Sequence, residues 1–289
     1  MLKYVVSEDL ELVLKQLITI NGFSLPSQQT IADLRSGLKW QLQKIFGSST
    51  VEMITATCMR DSMQEAMAQL DVIPVSLDRL YMTCDHHIDM TRSIDSDLND
   101  CGETERCNSV SLSEQIQTLV AYGIRDIALV DDVVFSGNGI LRLIKLCAAY
   151  GITVRSVIAG IVIGEGEKKI TARGVTVRTR YRYPTVIDEI CERDFYAGLP
   201  LSGRNVVAQS HNTGAPYFFP FGKPCEWASI PPEHADMFSQ FCLRQNVTLW
   251  RAIEEVSHTI IKCGNLPRLP FGSPCNGDPF VSYLESLIR

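Results

Sequence analysis

Asp131 and Asp132 stand side by side after an apolar run, Ile127–Val130, and two apolar residues later the chain enters Phe135-Ser136-Gly137-Asn138-Gly139. Adjacent carboxylates accept hydrogen bonds from neighbouring hydroxyls. A short glycine-containing loop that opens a helix presents unsatisfied N–H groups backed by the positive end of the helix dipole, and a phosphate suits such a place. Gly137 and Gly139 allow close backbone approach, and Ser136 adds a hydroxyl. Carboxylates in contact with a phosphate would repel it, so the acids must serve another part of the same ligand. A ribose 5-phosphate meets both requirements, with phosphate in the loop and vicinal hydroxyls on the acids.

The order of apolar strand, Asp-Asp, two apolar residues and Ser/Gly loop over Ile127–Gly139 resembles the motif by which type I phosphoribosyltransferases bind phosphoribosyl pyrophosphate (PRPP). A looser resemblance runs from Thr50 to Arg204. It implies an α/β fold, a parallel sheet with helices on both faces, with helical additions at the N- and C-terminal ends. It also implies that Asp131 and Asp132 are the catalytic acids that hold the ribose hydroxyls, and that Phe135–Gly139 holds the 5-phosphate. Phe135 and Gly139 stand where the family commonly has threonine, which removes hydroxyls but not the backbone cradle. The family's pyrophosphate loop follows its first core strand; the matching place is Cys58–Ser62, with Arg60 as the cation and Arg92 as a second candidate. Glu192–Arg204 loosely resembles the segment that meets the base, so Phe195 would stack on it, Asp194 would select it and Arg204 would reach anionic oxygens. The implied reaction is Mg²⁺-assisted phosphoribosyl transfer between PRPP and a nitrogenous acceptor. The alternative is a PRPP- or nucleotide-sensing protein that kept the fold and lost turnover.

A rival lies in Cys84-Asp85-His86-His87-Ile88-Asp89, which resembles the DHH phosphoesterases. Paired histidines with acids bind Mn²⁺ or similar ions that activate water. Those enzymes also need an upstream Asp-x-Asp pair, and none precedes Asp85. A more modest metal role is that Asp85 or Asp89 holds a PRPP-bound Mg²⁺ through water.

The elements that must position these residues follow from pattern. Ser111–Glu114 has the form of a capping box, and Ile116, Leu119 and Val120 share one helical face. "AYG" closes this helix at Gly123 and a second one, carrying Ile140, Leu143, Ile144 and Cys147, at Gly151. The continuous apolar runs Ile127–Val130 and Val157–Gly164 suggest strands covered on both faces. Helix-strand-helix-strand implies a parallel sheet. Further strands are expected at Thr50–Cys58, Arg79–Cys84 and Val175–Tyr183, the last with Arg178, Arg180 and Arg182 on one side. A helix is expected through Asp61–Leu70. Residues 1–46 read as helical with a turn at Asn21–Ser27, and Ile88–Ser109 as a mobile loop that could close over the site. "PFGKPC" and "PFGSPC" read as two Pro/Gly turns before and after a helix around Leu249–Ile261. The expected division is a helical segment over 1–48, an α/β core over 49–210 and an extension over 211–289.

Composition bounds the rest. With 289 residues, 45% hydrophobic and net charge −6, the chain fits an enzyme of small metabolites or almost any other soluble protein, without the basic footprint of a nucleic-acid binder. No apolar run reaches the roughly 18 residues of a membrane span. A cytoplasmic protein without membrane partners, a homodimer in one reading, is expected. Ten cysteines without a CxxC pair read as reduced thiols filling small apolar positions.

Overall fold

The structure is a computed structural model and describes residues 2–207, 209, 211–274 and 277–289. Cys275, in the second Pro/Gly turn, lies outside the described residues. Along the chain run β1 (Tyr4–Ser7), α1 (Leu10–Asn21), α2 (Gln28–Phe46), β2 (Val51–Ile54), α3 (Ala56–Met67), β3 (Ile73–Ser76), β4 (His86–His87), β5 (Met90–Ile94) and β6 (Asp100–Glu105). Then come α4 (Leu112–Ala121), β7 (Asp126–Val134), α5 (Asn138–Ala149), β8 (Thr153–Ile163), α6 (Gly164–Thr171), β9 (Thr176–Arg178), β10 (Tyr181–Tyr183) and β11 (Asp188–Cys191). The chain ends with β12 (Arg204–Val206), β13 (Thr213–Ala215), α7 (Pro224–Trp227), α8 (Pro232–Ser257), β14 (Leu269–Pro270) and α9 (Phe280–Ser286). None of the described helices is long and apolar enough to cross a membrane.

The chain forms two compact units. The first comprises Met1–Met53, Ser93–Asp100 and Ile187–Arg289, the second Ile54–Arg92 and Cys101–Val186.

The second unit carries the Asp-Asp motif. Its sheet runs β10–β8–β7–β3–β4, with β9 also beside β8, and its strand pairs are parallel. This is the expected α/β architecture. Ser111 and Glu114 close the expected capping box. Gly123 and Gly151 adopt φ of 78° and 76° after their helices, a region that costs glycine nothing. Ile127 and Leu129 pack with Ile116 of α4 and Leu143 and Cys147 of α5. Ala128, Val130 and Ile158 alternate with that set and are equally buried. The sheet is therefore covered on both faces, which is why the strand reads as unbroken apolar residues. Met59 of α3 lies against Gly160 of β8, where a Cβ would come within 2.3 Å of its methyl.

The first unit contains the sheet β11–β1–β2, and a second sheet is ordered β14–β13–β12–β5–β6. Its interior holds a T-shaped pair, Trp250 and Phe280, with ring centroids 5.3 Å apart. Fully buried Asn246 is satisfied by donating to the carbonyls of Phe195 and Cys242 and accepting from the N–H of Ala197. Arg35 of α2 forks onto Glu192, whose carboxylate is entirely enclosed, and also meets Glu8 at 3.4 Å.

Several local expectations are corrected. Residues 1–46 are not all helical: Tyr4–Ser7 is a strand paired in parallel with Asp188–Cys191, its short β-branched run having been hidden by the charged helix that follows. Arg79–Cys84 is not a strand. The Asp78 carboxylate accepts from the N–H groups of Leu80 and Tyr81 and fixes a turn there, while the neighbouring strands are Ile73–Ser76 and His86–His87. Thr50–Cys58 is strand only to Ile54; Thr55 accepts from the N–H of Cys58 and starts α3. Ile88–Ser109 contains β5 and β6. Between them Asp95 accepts from the N–H groups of Asp97 and Asn99, and Leu98 takes φ 62° to complete the turn. The helix expected around Leu249–Ile261 spans Pro232–Ser257. Cys147, Cys191, Cys242 and Cys263 are buried thiols as expected, whereas Cys101 and Cys107 are exposed.

Candidate functional site

The site is built where parallel strands end at different heights. Strand β3 stops at Ser76, which is in register with Val130 of β7, and the N–H of Leu77 closes the pair on the Val130 carbonyl at 2.7 Å. Strand β7 continues to Val134, held on its other side by β8. Asp131 and Asp132 therefore lie inside the strand, at the first positions beyond the end of β3. The chain turns next at Phe135-Ser136-Gly137, and α5 begins at Asn138.

Asp131 keeps part of its surface accessible, but its carboxyl is pushed well above the ordinary carboxylate range. Loss of solvation is the main cause, with the negative fields of Asp132 and Asp78 adding to it; the N–H of Asp132 and the Arg106 guanidinium pull the other way. Asp132 accepts from the N–H of Val133 at 2.8 Å. Asp78, buried on the loop after β3, and Arg106, just after β6, are parts of the site that the sequence did not reveal. Arg106 donates to the Leu77 carbonyl at 3.3 Å and lies 3.9 Å from Asp89.

Gly137 caps α5 with φ 73°. The turn rests on Gly166 in the first turn of α6: a Cβ there would come within 2.4 Å of the Phe135 carbonyl and 3.0 Å of the Gly137 nitrogen. The α5 N-terminus is thus held by a close backbone contact that only glycine permits. Ser136 accepts from the N–H of Asn138 at 3.4 Å. Lys169 of α6 donates to the Asn138 side chain at 3.2 Å and pairs with Glu165, so a cation stands beside the loop. Phe135 is exposed. Against Gly139 lies the Glu103 side chain of β6, whose carboxylate would be 2.9 Å from a Cβ at that glycine.

The remaining sequence candidates fall elsewhere. Cys58–Ser62 is helix, not loop; Arg60 sits on α3 and Arg92 on β5. The loop after the strand next to β7 is Leu77–Tyr81, with Arg79 in it. Asp194 and Phe195 belong to the first unit and are both buried. Asp194 accepts from the N–H of Gly203 at 2.9 Å, and Phe195 meets the Phe238 ring edge-on at 5.1 Å. Arg204 lies over the Trp227 ring and 3.8 Å from Asp100.

Asp85 is exposed. Asp89 is engaged by Arg79 at 3.1 Å and Ser109 at 3.2 Å, and His87 lies 3.7 Å from it. His86 packs near the Tyr122 ring. Among the described residues no group of three or more His, Cys, Asp or Glu could hold a metal ion. The DHH-like histidines thus have no three-ligand set around them among the described residues.

No protein-family model matches the chain, and no curated protein matches it. Among solved structures, it is similar to a crystal structure of orotate phosphoribosyltransferase from Aeropyrum pernix, at 13% identity and a TM-score of 0.21, over 59% of this chain and 93% of that one.

Proposed function

We propose that the second unit binds a ribose 5-phosphate compound across the ends of β3 and β7 and transfers its phosphoribosyl group from PRPP to a nitrogenous acceptor. One observation carries the reading. Two carboxylates overhang the end of the neighbouring strand and lead within five residues to the glycine cap of a helix with Lys169 beside it. Such a start takes phosphate, and the acids accept from the 2- and 3-hydroxyls.

The work of the chain's own residues would be positioning and electrostatic stabilisation. Ser136 and the N–H groups of the loop seat the 5-phosphate. Asp131 and Asp132 fix the ribose. Arg79 and Arg106, on the adjacent loops, are better placed than Arg60 to meet the departing pyrophosphate, because Arg79 follows β3 and Arg106 reaches Leu77. Magnesium enters with PRPP as part of the substrate. Calorimetry of PRPP–Mg²⁺ and of nucleoside monophosphates, with a screen of bases for PRPP consumption, tests the reading. Consumption of PRPP with one base supports it; absence of binding to either ligand ends it.

The helix over Cys58–Ser62, where a pyrophosphate loop was expected, favours a second reading, in which the site binds nucleotide without turnover. A protein that binds the monophosphate but neither pyrophosphate nor any acceptor would be this sensor.

A further inference from the structure

A groove in the second unit, sharing no residue with the Asp131–Gly139 site, is lined by Ser62 and Glu65 of α3, by Gln69 just after it, and by Arg178, Arg180 and Arg182. Its volume is about 610 Å³, within the range of small-molecule sites. The three arginines alternate along the edge of the parallel sheet, and the break between β9 and β10 is pinned in place. Thr179 donates to the Gly160 carbonyl at 3.0 Å and accepts from the N–H of Tyr181 at 3.1 Å. The N–H of Arg180 donates to Ser62 at 3.1 Å. Ser62 is almost wholly buried, and its hydroxyl proton has no acceptor among the described residues, so it remains available to a ligand.

The guanidiniums differ in their commitments. Arg182 is paired with Glu167 at 2.9 Å and Arg178 donates to the Gln69 carbonyl at 3.1 Å. Arg180 is exposed and has no ion pair with a described residue. Three positive groups against the carboxylates of Glu65 and Glu167 leave the groove net cationic. Arginine forks match phosphate oxygens, while Glu65, on the facing helix, calls for a hydroxyl or amino donor on the same ligand.

We infer that this groove is a second ligand site, which takes a phosphorylated small molecule of nucleotide size, its phosphate on Arg178, Arg180 and Arg182 and its donor groups toward Glu65. The site stands apart from the acids of the proposed function, so the two can be tested separately.

The probe is AMP, titrated calorimetrically into the Asp131→Asn/Asp132→Asn protein, in which ribose binding at the first site is weakened. Binding should persist there, weaken as salt rises, and fall about tenfold or more when Arg180→Gln is added, as expected for one lost charged hydrogen bond. Arg182→Gln in the same background provides a second reading should Arg180→Gln alter the fold by circular dichroism. The inference is overturned if the double-Asn protein binds no AMP at millimolar concentration, or if the folded Arg→Gln variants bind as it does. Loss of AMP binding on the Asp→Asn changes alone would uphold the first site and remove the groove; the reverse pattern would uphold the groove and remove the first site.

Discussion

An acid that resists ionisation can donate as well as accept, and Asp131 is such an acid. The loss of water around it, with the negative fields of Asp132 and Asp78, favours the protonated form; a ribose hydroxyl would meet a carboxyl that changes character with pH. If the ionised form is the one that grips ribose, Asp78→Asn should move the rise in ligand binding to lower pH, since removing a like charge eases ionisation. Binding followed by calorimetry from acid to neutral pH checks this, and an unmoved profile would detach Asp78 from the site. Asp131→Asn with Asp132→Asn should weaken a nucleoside monophosphate by about 1.5–3 kcal/mol per lost charged hydrogen bond; unchanged affinity in the folded double variant would end the ribose assignment. Asp131–Gly139 was legible because the whole motif is contiguous. Asp78 and Arg106 were not, because they reach Asp131 from the loops after β3 and β6, and no spacing in the chain announces that meeting.

At the scale of elements, the loop is only as rigid as its backing. Gly166 lets α6 come against the Phe135 carbonyl, so Gly166→Ala must push the two apart. A loss of about 1–3 kcal/mol in urea unfolding is expected for such overpacking, together with weaker phosphate binding. Retained binding at reduced stability would show that the loop does not depend on α6. In the first unit, α2 is tied by Arg35 to Glu192. Arg35→Ala strands a buried carboxylate and should cost about 3 kcal/mol or more of stability, whereas Lys at the same position keeps a charge and should cost less. Helices α4 and α5 and strands β7 and β8 were legible from periodicity and glycine stops. Strand β1 was not, because four residues beside a charged helix carry no period of their own, and its partner β11 is remote in sequence. The turn at Asp78–Tyr81 escaped because a side-chain carboxylate, rather than glycine or proline, makes it.

For the molecule as a whole, the buried charges of the first unit set a pH dependence. Asp9 is enclosed and pairs with Arg193, yet its carboxyl is pushed up to about 7, chiefly by burial, against which Arg193 only partly works. The folded protein thus holds a proton that the unfolded chain releases near pH 4. That contribution to stability is fully present below about pH 4 and is lost as pH rises through about 7. Denaturant midpoints measured across this window should fall with rising pH, and Asp9→Asn should flatten the slope whatever it does to absolute stability. An identical slope in the variant would place the titration elsewhere.

The pairing of β1 with β11 has a consequence for how the protein is made. Ser7 and Glu189, joined by a hydrogen bond, are 182 residues apart, and at the pace of a ribosome such a gap is many seconds of waiting. The second unit, from Ile54 to Val186 apart from Ser93–Asp100, can leave the exit tunnel while Tyr4-Val5-Val6 still lacks β11 on one of its two sides. During that interval β1 has β2 on one side only, and its other edge offers unpaired backbone groups, the kind of edge a holding chaperone recognises. That open edge is an aggregation hazard for the newborn chain, and it closes only after Asp188–Cys191 has emerged.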